Sequence, residues 1–494
     1  MKKNAILIRL AAAALVLSGG CTTNPAEEVH YVNVSQAACS FLGEGSKPLA
    51  IVVDAAPAQW TAEPGASWVK VERTDATTLT VTVDDNDTGT ERSADITVQA
   101  GEAVRPIRGY QLSKDNSIAR YRTTNTFDNG TAVVSPSGRY VGGFESTLLE
   151  DGNTFEFWPV IIDVEADERI VLGPVHQSLH MLHEPHAISD QGLLFIADGQ
   201  NGGQVAFDIT GNSFVPEIPE GYKTLPEIQA VSADGRYWVG YSKNNDGLHY
   251  TLVWEDGVLA KQLPMPDKNF VGEDFWYGIL GRGISADGSV IYGTTWENWD
   301  FGMLYWVNNG ANTEKPKWVG EDVREVWEET MKNSDGTEYT THLVNGLICQ
   351  AQLTKISPNG KWIASSYRTE TPAEDRLSIV TTQTAAFYNT ETETTVIVND
   401  YGSGSGTHVT DDGIAFIGLG SLGVTACMVY DLNTGTDLGS MVDWVYDTYG
   451  IIIPGSGFIS YVTPDGKSVI GSFPMASAGG VTYVSWYIAP PIGK

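Results

Sequence analysis

Cysteine is scarce, with four in 494 residues. One of them, Cys21, stands in the N-terminal segment, so Cys39, Cys349 and Cys427 remain. An odd set does not suit the disulfide framework of a secreted scaffold. Buried free thiols are expected, with a single Cys349–Cys427 bridge as the alternative. Positive charge is also scarce: 30 Lys and Arg stand against 61 Asp and Glu, for a net charge of −31. That balance excludes nucleic acid as a partner and speaks against anionic lipid surfaces. The apolar run Ala11–Leu17 is too short to span a bilayer as a helix. There is no nucleophile elbow, phosphate-binding loop or metalloprotease helix.

What is present suits strands and turns. Hydrophobic residues make up 42% of the chain, which excludes disorder, and 53 glycines accompany only 18% charged residues. The length exceeds one ordinary core. At the N-terminus, Lys2, Lys3 and Arg9 precede the apolar run, and Leu17-Ser18-Gly19-Gly20-Cys21 follows. This segment resembles a bacterial lipobox, although Ser18 stands where that pattern prefers Leu. The resemblance implies a lipoprotein signal peptide over 1–20, lipidation of Cys21, a linker over 21–29 and membrane contact through the lipid alone. An ordinary signal peptide or an uncleaved anchor is the alternative. Glu27 and Glu28 resemble the acidic export signals of Bacteroidetes surface lipoproteins, which implies an outer-membrane, cell-surface location.

Residues 30–113 alternate apolar and polar positions over Thr78–Val83 and again over Ser93–Val98, with a turn between them. Trp60 and Trp68 are expected to fill the space between two sheets of a small β-sandwich. Trp60, Trp68-Val69-Lys70-Val71, Asn86, Arg92, Ala94–Val98 and Gln111 resemble the BACON domain of Bacteroidetes. The resemblance implies either carbohydrate binding or a spacer that lifts a working domain from the membrane. The two tryptophans fall at its core positions, which favours the spacer. Asp84, Asn86, Gly89 and Asp95 loosely fit a calcium loop, but Thr88 occupies a ligand place and no helices flank it, so a solvated turn is expected.

From residue 117 to 490 one unit recurs. Its copies are Val134–Gly138, Ile188–Gly192, Val231–Gly235, Ile284–Gly288, Ile356–Gly360, Val409–Gly413 and Val462–Gly466. Each has a β-branched residue, Ser or Thr, two turn residues and Gly, and a strand follows. The hydroxyl can bond the turn backbone, and the glycine takes the left-handed position. The period is mostly 50-odd residues, which reads as an all-β, seven-bladed β-propeller. Seven third strands can be counted but only six fourth strands, so Ser117–Arg122 is expected to supply the last one and close the ring. The turns resemble TolB-like and HAF-type propeller repeats, families that serve many functions. Helical insertions are expected at 322–332 and 441–449.

In such a ring the Asp-Gly turns share one face. The opposite face carries the irregular loops 175–185, 266–280, 295–301, 367–381 and 444–457, where ligand sites belong. In the fourth blade this face gathers Phe275, Trp276, Tyr277, Trp296, Trp299 and Phe301 beside Glu273, Asp274 and Glu297. Aromatic faces stack on sugar rings, and carboxylates accept from hydroxyls. The alternative is that these aromatics fill space between blades. His176, His180, His183 and His186 could ligate zinc or copper, but no cysteine joins them, and a polar loop without metal or cofactor is preferred. Glu273 with Glu297 could form a glycosidase pair, although so acidic a chain makes such pairs by chance. The reading favours a binding protein for a polysaccharide or oligosaccharide over an enzyme. A scaffold for other envelope proteins and a propeller hydrolase or lyase are the alternatives.

Overall fold

The computed structural model describes residues 30–490 apart from 36–37, 42, 89–91, 112–118, 124–131, 150–154, 173–175, 179–184, 199–202, 296, 298–301, 310–311, 314, 351–353, 421–425 and 478–479. Cys21 and the signal segment lie outside the described residues, as do His180, His183, Trp296 and Trp299. Among the described residues nine sheets form, two over residues 31–111 and seven over 120–489.

The first region is a sandwich of two four-stranded sheets. Alternation along Thr78–Val83 and Arg92–Ala100 turns Leu79, Val81, Ile96 and Val98 inward, where Ile51, Val53 and Ile107 meet them. Trp60 is buried and Trp68 packs against the same core, as their spacing suggested. Each carries a guanidinium over its ring at 4.5 Å, Arg73 on Trp60 and Arg92 on Trp68.

The seven later sheets are antiparallel; four of them have four strands, as in Glu227–Val231, Tyr237–Lys243, His249–Glu255 and Val258–Gln262, and three carry one or two strands more. The repeated turn behaves as its residues dictate. All seven glycines have φ between 68° and 87°, and each donates its N–H to the Ser or Thr carbonyl three residues back. The hydroxyl then accepts a backbone N–H beyond the turn, as Ser232 does from Tyr237 at 3.0 Å and Ser285 from Val290 at 3.0 Å.

Neighbouring turns are joined to one another. Asp190 accepts from the N–H and hydroxyl of Ser137 at 2.9 and 2.7 Å. Ala233 N–H donates to Ala286 O, Ala286 N–H to Pro358 O, and Asn359 N–H to Asp411. The Tyr461 hydroxyl of the last sheet reaches Pro136 O of the first. One strand from each of the seven sheets lines a single axial cavity of about 150 Å³, Lys355–Ile356 doing so in the fifth. This is the arrangement of a β-propeller.

Strand Arg120–Thr123 pairs antiparallel with the outer edge of Gly480–Ala489, where a strand was expected from residue 117. Asp167 ties this strand to the first sheet. It sits 3.1 Å from Arg120 and 3.1 Å from Arg122, and it accepts the Tyr487 hydroxyl at 2.6 Å. The strand Ala38–Phe41 of the sandwich packs beside the same segment.

Two expectations are corrected. Residues 322–332 are not a helix: after a short 3-10 turn at Glu321–Val323, the strand Glu325–Lys332 pairs along its length with Glu338–Ile348. Asn333-Ser334-Asp335-Gly336 closes the hairpin, with Gly336 at φ 86° and Asp335 accepting the Thr337 N–H at 2.9 Å. Thr330, Thr340 and Thr341 are β-branched residues that favour the extended form. Residues 367–381 are mostly strand as well, in the long hairpin of Trp362–Pro372 and Ile379–Asn389. The helix Met441–Tyr449 is present, capped by the Ser440 hydroxyl and ended by Gly450 at φ 70°. Cys39, Cys349 and Cys427 are buried and none of them is in a disulfide, so there is no Cys349–Cys427 bridge.

Candidate functional site

The loop entering the fourth sheet is built from its own polar groups. The Asn269 side chain, nearly fully buried, accepts the N–H groups of Val271 and Glu273 at 3.2 and 2.8 Å. Its amide donates at 2.9 Å to one oxygen of Glu297. The other oxygen of Glu297 accepts three successive backbone N–H groups, from Trp276 at 2.8 Å, Tyr277 at 2.7 Å and Gly278 at 3.2 Å. Glu297 is 0% exposed. A fully buried carboxylate persists only with such complete pairing.

The expectation for Glu297 is thereby corrected: its carboxylate faces the protein interior, holds the loop, and cannot act as a hydroxyl acceptor or as one of a catalytic pair with Glu273. Phe275 also turns inward and packs against the core around Val239, Ile279 and Ile291. Tyr277 is half-buried and stacks on His249 with ring centroids 4.4 Å apart. Burial, together with the Lys243 charge, pulls the His249 pKa down against the opposing pull of the Tyr277 carbonyl, so a neutral ring carries the stack.

Trp276 is different. It is 64% exposed, and it meets Tyr277 edge to face at 5.9 Å. Glu273 beside it is exposed and lies 3.5 Å from His342 of the Glu325–Ile348 hairpin. The structure therefore brings Trp276, Tyr277 and Glu273 together at the surface, on a loop whose backbone is fixed from beneath. The hairpin wall next to them was not foreseen. Elsewhere on this face Arg368, Thr382, Gln383, Asn399 and Ser403 line an open groove of about 660 Å³.

Of the four histidines, His176 starts a short strand, His176–Ser178, that pairs with the first sheet. His186 instead lines the axial cavity, where Gln204 and Gln229 both bond its Nδ1. Burial and the Arg282 charge push its pKa down to about 4. Among the described residues no three His, Cys, Asp or Glu side chains form a group that could hold a metal ion. In the sandwich, Gln111 accepts from Arg92 at 2.8 Å and donates to Asp84 O at 2.9 Å, while Asn86 accepts from Thr88. These residues stabilise the domain's own turn.

Residues 58–104 match the BACON family model, described as "Putative binding domain, N-terminal". Among solved structures the chain is similar to a Bacteroides ovatus GH5 xyloglucanase in complex with a XXXG heptasaccharide. That match has 24% identity over 25% of this chain and 29% of that one, with a TM-score of 0.16. It is also similar to TolB from Acinetobacter baumannii, at 13% identity over 73% of this chain and 67% of that one, TM-score 0.33. A third likeness is to the β-propeller domain of the Trilobed protease from Pyrococcus furiosus, at 12% identity over 73% and 94%, TM-score 0.37. The chain thus spans less than a third of the xyloglucanase. No curated protein matches it.

Proposed function

We propose that this protein is a lipid-anchored, surface-exposed glycan-binding protein of the outer membrane, in which a BACON-like spacer carries a seven-bladed propeller closed by residues 120–123. The observation that carries the reading is Trp276. Its indole is mostly exposed, yet its backbone is fixed by a buried carboxylate. An aromatic face held in place before binding loses little freedom on contact and can stack on the CH-rich face of a sugar ring. Glu273 supplies an acceptor for hydroxyls at its side. The anchor is supported by Leu17–Cys21 and the basic start of the chain. The spacer role is supported by the two tryptophans, each covered by its own arginine.

The test is a glycan array with the ectodomain, followed by titration of any glycan found. Trp276→Ala is expected to weaken binding about tenfold, as the loss of one stacking contact of ~1.4 kcal/mol would do. The reading is wrong if the intact ectodomain binds no glycan, or if Trp276→Ala binds as the native protein does.

A further inference from the structure

The open groove on the loop-rich face, about 660 Å³ in volume, has the size of a ligand site. Its lining departs from the character of the chain. Acidic residues outnumber basic ones 61 to 30 overall, yet no Asp or Glu stands among the described residues that line the groove. The lining is instead neutral and hydrogen-bonding. It offers the hydroxyls of Thr381, Thr382 and Ser403 and the amides of Gln383 and Asn399. Its one cation, Arg368, is paired with the buried Glu370 carboxylate at 3.2 Å.

One wall of the groove is a strand edge. Ile379–Asn389 pairs with Trp362–Pro372 along its whole length. On its other side it pairs with Thr394–Ile397 only from Ala386 onward. The Ala385 carbonyl points to that other side, where it accepts the Val398 N–H at 2.9 Å. Main-chain groups alternate in direction along a strand, so those of Gln383 and Thr381 point the same way. Among the described residues no strand pairs with them there. The side chains of this wall are held in place. The Gln383 amide donates to the hydroxyls of Ser405 and Ser366 at 2.7 and 3.2 Å, and the Thr382 hydroxyl lies 2.5 Å from that of Thr369. A peptide added to such an edge needs pockets for its alternate side chains, and no apolar side chain is among the described lining residues. A polyhydroxyl chain needs fixed donors and acceptors, which the groove supplies.

The groove is joined to the Trp276 loop through the hairpin wall. Glu273 meets His342 at 3.5 Å, and two residues further along that strand the Val344 N–H donates to Glu370 at 3.1 Å. Glu370 lies two residues from Arg368 at the groove. With about 3.3 Å of rise per residue and the reach of the side chains, this path puts the groove within roughly 25 Å of Glu273. That is the length of an oligosaccharide, not of a single sugar.

We infer that the groove is a second contact for the glycan that stacks on Trp276, so that the ligand is a neutral, hydroxyl-rich chain long enough to span both. This rests on the glycan reading above. The net charge of −31 repels polyanionic chains, and the groove has no unpaired cation to offset it.

The experiment is calorimetric titration of the ectodomain with cello-, xylo- and manno-oligosaccharides and with oligogalacturonides, each as a disaccharide and a hexasaccharide. At least one neutral hexasaccharide should bind about a hundredfold more tightly than its disaccharide, as two linked contacts allow. Gln383→Ala and Asn399→Ala should each weaken hexasaccharide binding about fivefold, as the loss of one hydrogen bond would do, and leave the disaccharide unaffected. Trp276→Ala should weaken both lengths. Asn399 is exposed on a loop, so Asn399→Ala decides the matter should Gln383→Ala fail to fold. The inference is overturned if no hexasaccharide binds, if hexasaccharide and disaccharide bind alike, if the galacturonide series binds best, or if Asn399→Ala and a folded Gln383→Ala bind the hexasaccharide as the native protein does. In each case the glycan reading still stands where the array finds a ligand that Trp276→Ala loses, and it falls where the array is blank.

Discussion

Replacement of Glu297 by alanine should loosen the candidate site without unfolding the protein. The Glu297 carboxylate accepts four hydrogen bonds, three of them from consecutive backbone N–H groups at 2.7–3.2 Å. Each bond to a charged acceptor contributes about 1.5–3 kcal/mol. The four do not simply add, because Trp276 lies at the surface and the freed donors can reach water once the loop opens. The expected cost is therefore about 2–4 kcal/mol, confined to residues 269–278. Glu297→Gln should cost less, about 1–2 kcal/mol. Its amide oxygen can keep the three backbone donors, but its amide nitrogen then faces the donor nitrogen of Asn269. Asn269 cannot simply rotate, because its oxygen already serves Val271 and Glu273. Native-state hydrogen exchange reads this directly. In Glu297→Ala the amides of Trp276, Tyr277 and Gly278 should exchange about a hundredfold faster, as ~3 kcal/mol implies, while core amides such as those of Val239 and Val253 stay protected. Unchanged protection at these three amides would refute the clamp, and with it the idea that Trp276 is held ready for a ligand.

Two further perturbations test the frame. Asp167→Ala leaves Arg120, whose side chain is 2% exposed, without its carboxylate, and should cost about 3–5 kcal/mol in denaturant unfolding. Burial alone would raise the Asp167 pKa, but Arg122, the Tyr487 hydroxyl and Arg120 hold it below the ordinary carboxylate value. The carboxylate's contribution is thus complete above the unfolded pKa of about 3.9 and disappears as the pH falls through the lower folded value; Asp167→Ala should flatten that acid limb. Among the turn glycines, Gly288→Ala should cost more than Gly466→Ala. Both have positive φ, but a Cβ at 288 would lie 2.7 Å from the Tyr237 ring, whereas nothing lies within 4 Å at 466. About 1 kcal/mol is expected at 466 and about 2 kcal/mol at 288 from melting curves.

The repeat was readable because its chemistry is local. A hydroxyl, two turn residues and a glycine settle their geometry within five positions, whatever the rest of the chain does. The strand Arg120–Thr123 was also readable, since counting strands needs no tertiary detail. The hairpin 325–348 was misread because Glu-rich residues such as Glu325, Glu328 and Glu329 suit a helix, and only the pairing with Glu338–Ile348 decides against it. Glu297 was misassigned for a related reason: an acid next to aromatics looks the same in a sequence whether it points out or in. The axial cavity escaped notice because its lining comes from seven separated strands. One signal was available, in Gly281-Arg282-Gly283. There a charge stands on a first strand between two glycines that cannot carry side chains, since a Cβ at 281 would lie 2.7 Å from Gly240 O and one at 283 would lie 2.0 Å from the Tyr292 ring.

The pairing of Arg120–Thr123 with Gly480–Ala489 also sets an order of events during synthesis. The first of these strands is made about 360 residues before the second. Until then Arg120 lacks the Pro490 carbonyl that its Nε–H reaches at 2.7 Å, and Asp167 lacks the Tyr487 hydroxyl. The sandwich strand Ala38–Phe41, which packs beside Arg120–Thr123, can fold early and shield that waiting edge from other chains. The first domain would then serve as a chaperone in cis for the second, holding one end of the sheet in place until the other arrives.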